Sequence, residues 1–165
     1  MKFRFPIVII DEDYRSENTS GLGIRALAKA IEDEGFEVVG VTSYGDLSQF
    51  AQQQSRASAF ILSIDDEEFV ASGPELDPAA VLNLRKFIEE VRRKNEDVPI
   101  YLHGETKTSQ HLPNDILREL HGFIHMFEDT PEFVAKHIIR EAKSYMEGIQ
   151  PPFFKALLDY AEDGS

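Results

Sequence analysis

The chain contains no cysteine in 165 residues. That excludes disulfides and thiolate metal sites, and it fits a reducing compartment such as the cytoplasm. Basic residues are scarce: 17 Lys and Arg stand against 30 Asp and Glu, a formal charge of −13 at pH 7. Such a surplus repels phosphate backbones and anionic lipid, so neither nucleic acid nor a membrane surface is an expected partner. Copies of the chain repel one another for the same reason, and that repulsion relaxes as carboxylates protonate. No apolar run approaches the ~20 residues of a spanning helix. The first residues, Met1-Lys2-Phe3-Arg4-Phe5, lead straight into a strand pattern with no signal-peptide core or cleavage site. Internal repeats and low-complexity tracts are also absent. With 42 % hydrophobic residues, the chain has enough apolar material for one domain with a real core.

The organising stretch is Ala59-Phe60-Ile61-Leu62-Ser63-Ile64-Asp65-Asp66-Glu67-Glu68. Its first half is nearly continuously apolar, the pattern of a strand buried on both faces of a parallel sheet. Its second half is four consecutive acids. Similar strands are predicted at Pro6 to Ile10, Phe36 to Val41, Val98 to Leu102 and Gly122 to Phe127. Between them lie helical patterns. Ile24, Leu27, Ala28 and Ile31 share one face, and Gly35 follows that helix as a terminator. A short helix is predicted near Asp46 to Gln54. Asp77-Pro78 opens the next helix, with Val81, Leu84, Ile88 and Val91 inward and Arg92-Arg93-Lys94 at its carboxyl end, where the helix dipole favours cations. Leu112-Pro113-Asn114 opens another short helix. Thr130-Pro131-Glu132 starts the last long one, which buries Val134, Ile138, Ala142 and Tyr145. Five strands alternating with helices imply right-handed crossovers. The expected fold is α/β, a doubly wound, flavodoxin-like five-stranded parallel sheet of order 2-1-3-4-5. Gly148-Ile149-Gln150-Pro151-Pro152 ends the last helix and releases an apolar segment, Phe153 to Tyr160, with no strand left to cover.

In such a sheet, ligands sit beyond the carboxyl ends of the strands. Asp11, Asp13 and Asp65 fall there, on adjacent strands, and are candidate Mg²⁺ ligands as well as ordinary solvated acids. Gly21-Leu22-Gly23-Ile24-Arg25-Ala26 matches a G-x-G-x-x-A pattern. It lies ten residues past the first strand and lacks the acid after strand two that completes a dinucleotide site, so it reads as a helix start. Of the five histidines, 103, 111, 121, 125 and 137, none forms an H-x-H pair on a strand and no cysteine joins them, so core and surface histidines are the reading. No serine or lysine sits in a nucleophile motif. No catalytic, cofactor or metal residue is therefore assigned.

Asp65 at the end of strand three, with Asp11 and Asp13, resembles the acidic pocket of response-regulator receiver domains. A receiver also carries a hydroxyl residue after strand four and a lysine after strand five. Here those places read Leu102-His103-Gly104 and His125-Met126-Phe127. A second resemblance is carried by Val98-Pro99-Ile100-Tyr101-Leu102-His103-Gly104-Glu105, by Phe127-Glu128-Asp129-Thr130-Pro131-Glu132-Phe133 and by Pro151-Pro152-Phe153-Phe154-Lys155-Ala156-Leu157. These look like the amino-terminal domain of bacterial inducible arginine, lysine and ornithine decarboxylases, closest to the arginine branch.

That resemblance implies a receiver-like wing domain over residues 1–147. Residues 148–165 would then begin a linker to a pyridoxal-phosphate core absent from this chain, with Pro151, Pro152, Phe153, Phe154 and Leu157 as linker or interface candidates. It implies a non-catalytic role in homo-oligomer assembly, of dimers into a decamer, in acid-stress amino-acid catabolism. In some lysine-specific members the domain lies near an alarmone site, so a nucleotide regulator is an open expectation. The family's Ser-x-His-Lys cofactor motif is missing from this sequence. The alternative is a degenerate receiver that stands alone and binds a protein partner.

Overall fold

The computed structural model describes residues 5–42, 57–63, 78–94, 96–104, 112–125 and 129–149. Five strands form one sheet: β1 (Ile7–Ile10), β2 (Val38–Val41), β3 (Ala59–Ser63), β4 (Ile100–Gly104) and β5 (Gly122–His125). All neighbours are parallel, in the order β2-β1-β3-β4-β5 expected from the sequence. β1 and β4 are buried throughout, and β3 is buried up to its last residue. These three lie in the middle of the sheet, where apolar side chains on both faces must be covered. The edge strand β2 is only half-buried.

Four helices are described: α1 (Thr19–Asp33), α2 (Pro78–Lys94), α3 (Asn114–Leu117) and α4 (Pro131–Ile149). α1 packs against α4 on one face of the sheet. Right-handed crossovers place α2 and α3 on the other. α1 buries Ile24, Leu27, Ala28 and Ile31, the stripe read from its spacing, and ends before Gly35, whose φ of 96° suits glycine. α2 buries its expected stripe plus Phe87. α4 is described to Ile149, inside the stretch Gly148 to Pro152 expected to end it, and residues from Gln150 on lie outside the described residues. The helix expected near 46–54, the loop from Phe69, the Asp77 cap and the segment from Pro151 to Tyr160 lie outside the described residues.

On the α2–α3 side, ion pairs tie the helices together. Arg85 reaches Asp115, and Arg92 reaches the Glu119 carboxylate at 2.8 Å. Arg92 also donates to the carbonyls of Val98 and Glu119, so it fastens α2 to the start of β4. No helix among the described residues is long and apolar enough to cross a membrane.

Candidate functional site

Register alone assembles a polar row across the carboxyl end of the sheet. Ile10 pairs with Leu62, so Asp11 follows beside Ser63. Ser63 pairs with His103, and His103 with Ile124. Residues in register on parallel strands point to the same face. Asp11 and His103 are both buried, 4 % and 6 % exposed.

The row is hydrogen-bonded throughout. The Ser63 hydroxyl donates to Asp11 Oδ2 at 2.8 Å, and the Asp13 backbone N–H donates to Asp11 Oδ1 at 2.8 Å. Ser63 Oγ also lies 3.3 Å from His103 Nδ1. A serine has one proton to give, and the Asp11 carboxylate can only accept. The Ser63 oxygen therefore accepts from His103 Nδ1–H, and in the neutral ring Nε2 is left as an acceptor. Burial pushes the His103 imidazole below its ordinary value, against the opposing pull of Asp11 and Asp129.

This order of groups is not a nucleophile triad. There, histidine sits between serine and acid and takes the serine proton. Here serine sits in the middle and its proton is committed to the acid, so nothing activates the hydroxyl.

The loop carrying Asp11 and Asp13 is tied to α1. Asn18 caps the helix, accepting from the Gly21 N–H at 2.8 Å, while its Nδ2 donates to Asp13 Oδ1 at 3.2 Å. Arg25 donates to the carbonyls of Tyr14 and Ser16, both at 2.7 Å. Gly21 is required for this fit: a Cβ there would lie 2.2 Å from the Ser16 carbonyl oxygen. At Gly23 a Cβ would meet nothing within 4 Å. The G-x-G match is thus a loop-packing glycine followed by a free one. On β2, Gly40 makes room for the Tyr14 ring, which a Cβ would meet at 2.2 Å.

The structure keeps Asp11 and Asp13 in one loop, where both Asp11 oxygens accept hydrogen bonds and Asp13 Oδ1 accepts one from Asn18. Among the described residues no group of His, Asp or Glu is placed to hold a metal ion. Asp65 lies outside the described residues, as do Pro151, Pro152, Phe153, Phe154 and Leu157. His103 and His125 stand at the carboxyl ends of β4 and β5. The His125 N–H donates to Asp129 Oδ2 at 2.8 Å. Between the first turns of α1 and α4 and the ends of β4 and β5 lies a cavity of about 150 Å³, lined by Thr19, Ser20, His103, Ile124, Asp129 and Val134 among others. At the same pole Leu22 and Phe133 are exposed, 55 % and 73 %.

Sequence reasoning did not foresee Ser63 as the bridge or His103 as its partner. The signal was present in the strand ends: once the strand order is known, aligning the last apolar residues puts the two in one row.

These features define a receiver-like, doubly wound α/β domain. A receiver domain from Clostridium thermocellum has the same fold, with a TM-score of 0.58 at 11 % identity over 88 % of this chain and 99 % of that one. The chain belongs to the family of the Orn/Lys/Arg decarboxylase N-terminal domain, whose model matches residues 19–145. The match extends well upstream of the motifs that carry the resemblance and stops short of Pro151. The lysine decarboxylase of Pseudomonas aeruginosa is 26 % identical over 160 residues, 95 % of this chain and 20 % of that protein. Its solved structure superposes with a TM-score of 0.79 at 24 % identity, covering 98 % of this chain and 21 % of that one. The biodegradative arginine decarboxylase of Escherichia coli K12 is 23 % identical over 158 residues, 94 % of this chain and 20 % of that protein. Identities of 26 % and 23 % do not single out the arginine branch. The chain spans about a fifth of the length of these curated relatives.

Proposed function

We propose that this chain is the non-catalytic amino-terminal assembly domain of a pyridoxal-phosphate-dependent decarboxylase acting on arginine, lysine or ornithine. The observation that carries the reading is the family match across most of a chain that spans a fifth of its relatives. Residues 1–147 form the wing, and residues 148–165 begin the linker, with Pro151, Pro152, Phe153, Phe154 and Leu157 at the junction with the rest of the enzyme.

The described residues do not fit the cofactor. A pyridoxal-phosphate site needs a sheltered lysine for the Schiff base. Among the described residues Lys29, Lys86, Lys136 and Lys143 are exposed on helices, and the Ser-x-His-Lys motif is missing from the sequence. No chemical step is therefore routed through this domain. Its contribution is to assembly in the cytoplasm as a homo-oligomer. The charge of −13 supports a pH-coupled version, in which acidic faces repel at neutral pH and approach as carboxylates protonate.

The test is CO₂ release by the full coding sequence, supplied with pyridoxal phosphate and arginine, lysine or ornithine in turn. Release from one substrate supports the reading and names the preference. Sedimentation with and without residues 1–147 then separates assembly from chemistry: deletion should reduce oligomer size without removing the cofactor. No release from any substrate would sink the reading. The exposed Leu22 and Phe133 favour one second reading, a degenerate receiver that docks a protein partner at its strand-end pole.

A further inference from the structure

We propose that the outer edge of β5 pairs antiparallel with the same edge of a second copy of the chain, about a two-fold axis at Phe123, joining two five-stranded sheets into one. The contact supplies a surface for the assembly role and rests on that role for its purpose. Its physical case rests on the strand itself.

β5 ends the sheet, with β4 on one side only. The His121 N–H donates to the Ile100 carbonyl at 2.8 Å, toward β4. Backbone groups alternate along a strand, so those of Phe123 also point to β4, and those of Gly122 and Ile124 point outward. Among the described residues no hydrogen bond meets these outward groups. Edge strands are ordinarily protected by charge, proline, a bulge or a covering element. From Leu120 to Phe127 there is no Asp, Glu, Lys, Arg or Pro, and the register with β4 is unbroken. α3 is one turn long and spans about 6 Å. β5 spans about 13 Å, so α3 is too short to wall off its side of the edge.

Geometry and charge select a second copy as the occupant. On an antiparallel two-fold at Phe123, Gly122 and Ile124 of one copy face Ile124 and Gly122 of the other, and exchange N–H···O bonds in both directions. Phe123 meets its own equivalent as a close, non-hydrogen-bonded pair, a cross-strand position that favours two aromatic rings. Phe123 is half-buried, so it has surface left to cover. Beyond the strand ends stand opposite charges: Arg118 before β5 and Asp129 after it, both exposed. Antiparallel pairing sets the Arg118 end of each copy beside the Asp129 end of the other, whereas parallel pairing would set like ends together. Copies carrying −13 repel over most of their surface, so contact is favoured where carboxylates are scarce. The other edge fails on this count: Glu32, Asp33, Glu34 and Glu37, all exposed, stand just before β2.

The experiment is disulfide trapping in the 165-residue chain, which has no cysteine of its own. Non-hydrogen-bonded antiparallel neighbours lie close enough for a disulfide. Phe123→Cys should therefore cross-link with itself under mild oxidant. The two-fold pairs His121 with His125 of the other copy. His121→Cys and His125→Cys should each cross-link poorly alone and about tenfold faster when mixed. Lys29→Cys, exposed on α1, sets the rate of random collision. In the unmodified chain, raising the concentration to about 1 mM should move sedimentation from monomer towards dimer and slow exchange of the Gly122 and Ile124 amides together. Cross-linking of Phe123→Cys no faster than Lys29→Cys overturns the proposal, and so does a mixture no faster than its two components. A chain that stays monomeric at that concentration also overturns it, and protected Gly122 and Ile124 amides in that monomer would assign the edge to the chain's own residues instead. The His121→Cys and His125→Cys mixture decides the matter even if Phe123→Cys does not fold. Decarboxylation and oligomer size of the whole enzyme are read separately, so failure of this contact and failure of the assembly role are distinguishable.

Discussion

Asp11 and Tyr101 are buried to nearly the same degree, 4 % and 2 % exposed, in one sheet. Their polar atoms fare in opposite ways. Each Asp11 oxygen accepts a bond at 2.8 Å, one from a loop N–H and one from a serine. The Tyr101 hydroxyl is the one buried side-chain polar atom among the described residues with no partner. Position explains the difference. Asp11 stands just past the end of β1, where the chain leaves the sheet and turning backbone supplies spare donors. Tyr101 sits within β4, where backbone groups are spent on neighbouring strands. The rings of His121 and His137 are its neighbours, with centroids 6.3 Å and 6.0 Å away. A polar group can be buried just past a strand end at little cost; within a strand it depends on chance partners.

The sharpest way to break the comparison is Asp11→Ala. It strands the Ser63 hydroxyl and the Asp13 N–H in a buried place. We expect a loss of about 3 kcal/mol, read as a lower urea midpoint at unchanged slope. A loss indistinguishable from zero would mean that water replaces the carboxylate freely. Gly21→Ala attacks the same region through the backbone. In most helices the change would help slightly. Here the new methyl meets the Ser16 and Asp13 carbonyls at 2.2 and 2.4 Å, and the loop that presents Asp11 must move. The clash should win, with a net loss of about 2 kcal/mol, whereas Gly23→Ala, with open space around it, should be neutral or stabilising.

His103→Gln tests the strand-end row through pH. The folded imidazole titrates below 6.5, the ordinary value. Between those two values the unfolded chain binds more protons than the folded one. Stability therefore rises with pH through this window and is lost as pH falls below about 6.5. His121 shifts in the same direction, by burial and then by Arg92, and shares the effect. In His103→Gln the fall in urea midpoint from about pH 8 to about pH 5.5 should be shallower than in the parent chain. An identical fall in both proteins would show that His103 titrates normally. This acid sensitivity opposes the relaxation of repulsion among the surplus carboxylates, which protonate over the same fall in pH.

Strand order, helix faces and the strand-end location of the polar residues were legible because each depends on short-range pattern. The runs Ile7 to Ile10 and Ala59 to Leu62 are apolar on both faces, which only a central parallel strand satisfies. The row Asp11–Ser63–His103 was not legible as a unit. Its members are 52 and 40 residues apart, and register, which no local pattern prints, decides that they meet. Asn18, whose side chain both caps α1 and bonds the Asp13 carboxylate, was not legible either, because a cap is recognised only once the helix start is placed. The family resemblance came from stretches beginning at Val98, yet the match covers residues 19–145, so it extends upstream of every motif quoted for it.

Tyr101→Phe should have the smallest effect of the four and the opposite sign. Burial pushes the Tyr101 phenol far above its ordinary value, with Glu141 adding to the shift, so the group is a neutral hydroxyl at any ordinary pH. It contributes a donor and an acceptor that nothing described answers. Deleting one oxygen leaves the ring, its contact with Gly122 and its packing between the two histidines in place. Only the desolvation cost of an unpaired hydroxyl is removed, so stability should hold or rise by up to about 1 kcal/mol. A loss of that size would mean that the hydroxyl is bonded after all, through a buried water reaching toward Glu141. The asymmetry between Asp11 and Tyr101 would then reduce to who supplies the partner, protein or solvent. An unchanged or raised midpoint in Tyr101→Phe beside a collapsed one in Asp11→Ala would establish that satisfaction, not burial or polarity, decides what each group contributes to this sheet.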